Sequence, residues 1–146
     1  MRLLNDDPIT LLVSRFLSPF IMLFGLYMIF HGHYSPGGGF QGGTMLAASF
    51  ILMRLTSGIT IAQLQFNSAL AAPLGALGVL IYFGTGFAAM VFGGNFLDYK
   101  FLPLAGLTGA ELRAMGILII EVGVGLAVMA ILTSIYDNLL GDPDDA

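Results

Sequence analysis

The sequence predicts an all-α integral membrane protein: four transmembrane helices, short connections, and both termini on the cytoplasmic side. Three observations carry that prediction. Of 146 residues, 57% are hydrophobic and only 10% charged, where a soluble domain carries roughly 25% charged residues. No acidic residue lies between Asp7 and Asp98, and the only basic ones in that interval are Arg15 and Arg54. Four stretches are long enough to cross the hydrocarbon core, which takes roughly 20 apolar residues in a helix. Disorder needs the opposite composition, and the length suits one domain, residues 1–146.

The first span covers about residues 9–30. A signal peptide is the competing assignment, but the apolar core is too long, Asp6 and Asp7 spoil a basic leader, and no small-residue cleavage site follows. The second span, about 40–61, follows a connection over 31–39 and contains Arg54. The third, about 68–92, follows a link over 62–67. The longest connection, 93–108, carries Phe96, Tyr99 and Phe101, rings suited to the headgroup level. Thr108-Gly-Ala-Glu111 fits a capping box that starts the fourth span at about 109. Asp137 and Gly141 mark the far end of that span, about 109–136.

Short links predict antiparallel neighbours in a bundle. An even number of spans places both termini on one side. Arg2, Arg15 and Arg54 fall there, against Lys100 and Arg113 opposite, which favours cytoplasmic termini. Lys100, Glu111 and Arg113 are interfacial or capping residues in this scheme. Ala71-xxx-Gly75, Gly84-xxx-Ala88 and Gly123-xxx-Ala127 form small-residue faces of the kind through which membrane helices associate. They exceed what one bundle needs, which points to partner subunits on its flanks.

Several functions are excluded by composition. With no cysteine there is no disulfide framework, thiolate zinc site, iron–sulfur cluster or cysteine nucleophile. A net charge of −4 argues against a nucleic-acid partner, which wants a basic patch. Most of the acidic excess sits at Asp6, Asp7, Asp137, Asp142, Asp144 and Asp145, near the termini. The eight methionines are scattered as apolar fill. Neither a cofactor nor an enzymatic activity is expected.

The most unusual stretch is His31-Gly-His-Tyr-Ser-Pro-Gly-Gly-Gly-Phe-Gln-Gly-Gly43. Gly37-x-Gly39-x-x-Gly42 formally matches a dinucleotide fingerprint. That motif needs a preceding strand and an acidic residue about 20 positions on; here a membrane helix precedes and no acid follows until Asp98. No Gly-Lys-Ser/Thr follows either, so a P-loop fails. Pro36 is expected to stop the first helix, and the glycines permit backbone conformations and close approaches closed to other residues. Gly39-xxx-Gly43 leaves a smooth face at the start of span two. The run is either irregular backbone at membrane depth, satisfied by protein or water, or a flexible external loop.

A membrane helix ending in this run resembles the signature of the MnhB/MrpB family, small B subunits of multi-subunit Mrp-type Na+/H+ antiporters. The likeness lies at Gly32, His33, Pro36, Gly37, Gly38, Gly39, Phe40, Gln41, Gly42 and Gly43. It extends to the four spans and to Glu121-Val-Gly-Val-Gly125. The resemblance implies a multi-pass subunit of a prokaryotic cell membrane, surrounded by lipid and other antiporter subunits. That assembly exchanges Na+ for H+. The family's proton translocation belongs to larger subunits with lysine and glutamate inside broken helices, similar to respiratory complex I. This chain has no intramembrane lysine, so the resemblance implies a scaffold or a contributor to the ion path. Related segments in membrane-bound hydrogenase and sulfur-reductase complexes keep an equivalent redox-driven subunit as an alternative. A stand-alone homo-oligomeric channel is a third.

Few residues are left to handle ions. Glu121 lies 12 residues into the fourth span, about 18 Å along it, near the expected midplane. An intramembrane carboxylate is costly and functional by default; a neutral acid hydrogen-bonded between helices is the alternative. Arg54 either pairs with Glu121, from which its depth is expected to differ by only about 5 Å, or snorkels to the headgroups or contacts a partner subunit. His31 and His33 are two apart, off a shared helical face, and no third ligand is near, so no metal is predicted. His33 is a candidate for interface hydrogen bonding or proton handling, and His31 for capping the helix end.

Overall fold

The computed structural model describes residues 7–34, 37–104 and 106–140, with Ile59 and Leu140 described by their backbone alone. Their regular structure is all helical, with no strand: α1 Pro8–Phe30, α2 Gly38–Ser57, α3 Ile59–Ala62, α4 Ala71–Val91 and α5 Gly109–Leu140, with short 3-10 turns at Ser68–Leu70 and Tyr99–Phe101. Three helices are long and apolar enough to cross a membrane: Pro8–Phe30, Ser68–Val91 and Gly109–Leu139. The chain is thus a multi-pass membrane protein. α2 is not among the three, although its 20 residues are long enough to cross. Its glycines, Gln41, Arg54 and hydroxyl residues lower its apolarity. The expected second span also ends early, because Gly58 breaks the helix at φ 79.

Local sequence explains the ends of α1. Asp7 caps it by accepting from the Ile9 N–H at 3.1 Å and from the Thr10 hydroxyl at 2.7 Å. The Thr10 hydroxyl, and then the Ile9 N–H, hold the Asp7 carboxyl below its ordinary value. A depressed carboxyl contributes stability above its unfolded-state value and loses it as pH falls through the folded one, so acid frays this turn. α1 ends at Phe30 with a turn through His31–Tyr34. It therefore stops before Pro36, the expected terminator, which lies outside the described residues, as do Asp6 and 141–146.

The predicted bundle gives way to an open row. α1 packs on α2 and touches α5 through Ile29 against Gly125, α2 packs on α5, and α5 on α4, while α4 meets neither α1 nor α2 among the described residues. Short links therefore do not join neighbours throughout: α2 and α4 are consecutive long helices, yet α5 stands between them. Small residues on two sides of α5 allow this. Gly125 and Val128 receive Gly43 of α2, while Gly123 and Ala127 receive Gly78 of α4. α2 likewise carries two stripes, Gly38 and Gly42 toward α1, and Gly39 and Gly43 toward α5. Of the predicted small-residue faces, Ala71-xxx-Gly75 and Gly123-xxx-Ala127 lie in the α4–α5 contact. Gly84 does not, for nothing stands within 4 Å of it.

The core gathers where the row bends, with Ile29, Leu46, Phe50, Phe66, Met129 and Ala130 in one cluster. Large apolar side chains remain on the flanks, including Phe16, Phe20 and Leu23 of α1 and Leu80, Phe83 and Phe87 of α4, as lipid contact requires. Between α1 and α2 the buried Ser18 and Ser49 hydroxyls lie 2.7 Å apart, and Gln65 donates to Ser18 at 3.1 Å. The 93–108 connection folds back on the helices, with Phe96 against Gly86, Tyr99 and Leu102 against Gly116, and Phe101 against Gly94. Its rings thus pack on glycine platforms. α5 starts at Gly109 as predicted, but Thr108 and Glu111 are exposed and form no reciprocal capping bond among the described residues.

A side chain at Gly42 would place its Cβ 2.5 Å from the Gly25 carbonyl and from Ile29. Gly42→Val is expected to cost about 3 kcal/mol or more by overpacking. Gly84→Val is expected to stay within about 0.5 kcal/mol. Thermal unfolding of the detergent-extracted protein compares the two; equal losses would contradict this packing.

Candidate functional site

α2 has no side chain of its own to cap its first turn. Gly37, at φ 90, brings the chain into the helix through the left-handed region that favours glycine, and provides no capping oxygen. A helix N-terminus leaves N–H groups unpaired and carries partial positive charge. The acceptor comes from α5: Glu121 Oε2 accepts the Gly39 N–H. The carboxylate reaches that amide only because hydrogen atoms stand where side chains would. A Cβ at Gly32 would lie 2.9 Å from Glu121 Cδ, and one at Gly39 would lie 2.5 Å from both the Glu121 carbonyl oxygen and Oε2. Glu121 is half-buried, and Oε1 makes no protein hydrogen bond among the described residues. One oxygen is thus committed to the helix and the other is available to water, a proton or a cation.

The rest of the run divides by role. Gly38 and Gly42 lie against α1, Gly43 against Gly125 of α5. Phe40 and Gln41 are exposed, the Gln41 amide lying over Gly37. His33 tilts against Tyr34, with ring centroids 4.0 Å apart, and its Nδ1 is buried without a partner among the described residues. His31 stacks on Tyr27 at 4.1 Å, its Nδ1 3.2 Å from the Tyr27 carbonyl. Tyr99, expected at the headgroup level, lies in the electrostatic reach of this site. Burial first, and then the charges of Tyr82 and Glu121, push its phenol above the ordinary value.

Arg54 departs from two of the three alternatives the sequence offers. It does not snorkel, because its side chain is fully buried, and it does not pair with Glu121. Its Nε donates to Asp137 Oδ1 at 2.5 Å and its Nη2 to Oδ2 at 3.1 Å. Nη2 also donates to the Phe66 carbonyl at 3.0 Å, and the Ser68 hydroxyl donates to Asp137 at 2.6 Å. The guanidinium lies over the Phe66 ring, 5.8 Å from its centroid. The reason is register. α2 and α5 run parallel with Gly39 beside Glu121, so Arg54, fifteen residues on, stands about 22 Å from Glu121 along the axis. The smaller separation follows only if both helices start at one level, whereas α5 begins about 18 Å before α2 does.

Asp137 is the residue that sequence reasoning missed. It reads as a helix-end marker among terminal acids, but it sits within the last turns of α5, a helix that runs on to Leu140. The available signal was an arginine in an apolar segment without an acid nearby, which demands a distant partner.

The glycine run meeting an α5 carboxylate has its counterpart in known proteins. A family model described as "Domain related to MnhB subunit of Na+/H+ antiporter" matches residues 9–134. The chain belongs to the MnhB family. The B subunit of the Na(+)/H(+) antiporter of Bacillus subtilis is 30% identical over 132 residues, covering 86% of this chain and 92% of that one. Its counterpart in Alkalihalophilus pseudofirmus is 31% identical, covering 92% and 96%. An uncharacterized protein of Methanocaldococcus jannaschii is 35% identical over 84% of this chain, which spans about half, 48%, of that longer protein.

Two substitutions separate fold from carboxylate placement in this MnhB-family protein. Gly39→Ala meets the α5 backbone, which cannot yield, and is expected to lower the amount of folded protein. Gly32→Ala meets the movable end of Glu121 at 2.9 Å and the Gly38 backbone less closely, at 3.1 Å, so a smaller loss of folded protein is expected while the carboxylate shifts. Quantitative immunoblotting of membranes checks the contrast; equal loss for both would contradict it.

Proposed function

We propose that the chain is a membrane subunit of a multi-subunit Na+/H+ antiporter, acting as scaffold and contributing one carboxylate, Glu121, to the ion path. It crosses the membrane four times with cytoplasmic termini in a prokaryotic cell membrane, and its uncovered flanks meet lipid and other subunits. It has no catalytic chemistry of its own. The observation that carries the reading is the half-buried Glu121 carboxylate with one oxygen bonded to the Gly39 N–H and the other available. An acid held in place at a helix N-terminus can exchange a proton or attract Na+ without rearranging the fold. The bacterial relatives, named as antiporter subunits, favour this host over a redox-driven one.

Glu121→Gln keeps an oxygen that accepts from Gly39 and removes the ability to ionise. Complex abundance is expected to persist while Na+-dependent exchange in membrane vesicles falls at least several-fold across a pH series. Wild-type exchange at normal abundance would make Glu121 a helix cap only. The open row also predicts dependence on partners: expressed alone, the chain is expected to aggregate or be degraded, and co-expression to recover it in a large complex on a native gel. A monodisperse, ion-conducting preparation of this chain alone would overturn the subunit reading.

A further inference from the structure

Among the described residues α2 is the one long helix not apolar enough to cross a membrane by itself, and it carries the buried Arg54. An arginine on a helix without a partner opposes its insertion into hydrocarbon. Nothing near it in sequence can neutralise it, since no acid occurs between Asp7 and Asp98. The neutralising carboxylate lies 83 positions later in the chain, on α5. α5 also carries the carboxylate that meets the positive N-terminal end of α2, at Gly39. The spacings match: Gly39 and Arg54 are fifteen residues apart on α2, Glu121 and Asp137 sixteen apart on the parallel α5.

We propose that α2 is a conditional membrane span, held across the bilayer by α5 through the Asp137–Arg54 pair and inserted stably only once α5 is in place. The inference rests on the four-span reading above. The geometry fits a lock formed late. Asp137 also accepts from Ser68, and Arg54 donates to the Phe66 carbonyl, so the pair fastens the link between α2 and α4 at the same moment. Closing it hides the guanidinium, leaving the side chain 0% exposed.

The chain has no cysteine, so single cysteines report topology directly. Tyr34→Cys and Leu64→Cys sit at opposite ends of α2, at residues 82% and 88% exposed. In intact cells expressing the full chain with its partner subunits, a membrane-impermeant maleimide is expected to label position 34 from outside. Position 64 should react only after permeabilisation. Labelling of both from one face would remove the four-span reading, and this inference with it. Given the expected parent pattern, Asp137→Asn is expected to open position 64 to the external reagent or to deplete the chain. The pair of substitutions R54M and D137M, which removes both charges, is expected to restore inside-only labelling at parental abundance. Parental labelling and abundance in D137N, or failure of R54M with D137M to restore them, would overturn the conditional span while leaving the four-span topology standing.

Discussion

The close parallel approach of α2 and α5 is the constraint on which the rest of the molecule depends. Two glycines of α2 lie against α5 backbone, with so little space that a Cβ at Gly43 would stand 2.6 Å from the Gly125 carbonyl. Lipid is as apolar as leucine, so helices in it gain by dispersion contact at small residues rather than by burying apolar surface. That contact needs parallel axes and one register. Once it is made, Glu121 falls on the Gly39 amide at one end of α2 and Asp137 on Arg54 at the other. A shift of one helical turn would leave both carboxylates and the guanidinium unmatched, and buried charges without partners are strongly unfavourable.

The flanking helices follow from that central pair. α1 uses the second stripe of α2, with Gly25 against Gly42 and Ser18 against Ser49. α4 uses the opposite side of α5, with Gly78 against Gly123. Neither flank needs the other, so the row stays open and leaves apolar rings such as Phe16 and Phe83 uncovered. An open row suits a subunit whose remaining faces are completed by neighbours. It also leaves Glu121 half-buried, with Oε2 bonded to the Gly39 N–H and Oε1 without a protein hydrogen bond among the described residues.

Much of the protein was legible in one dimension because its signals are local. Hydrophobic length placed α1, α4 and α5 within a few residues of their ends, and the run from Gly32 to Gly43 carried the family. Failures came where partners are distant. The pairs Gly39–Glu121 and Arg54–Asp137 span 82 and 83 positions, and no periodicity encodes which helices meet. Short links suggested that α2 and α4 are neighbours; α5 displaces that contact because it alone offers small residues on two sides together with the two required carboxylates.

The sequence by itself determined the solvent, the helical class and the family, because each rests on composition or on contiguous residues. It also determined that an arginine and a glutamate stand in apolar surroundings and need an account. Only the tertiary structure decided what they meet: a helix N-terminus for Glu121, and Asp137 with the Phe66 carbonyl and Ser68 for Arg54. The physical reason is that charge pairing in a low-dielectric interior depends on register and distance between helices. Those quantities are set by where glycines let two backbones touch, which becomes visible only when the helices are laid side by side.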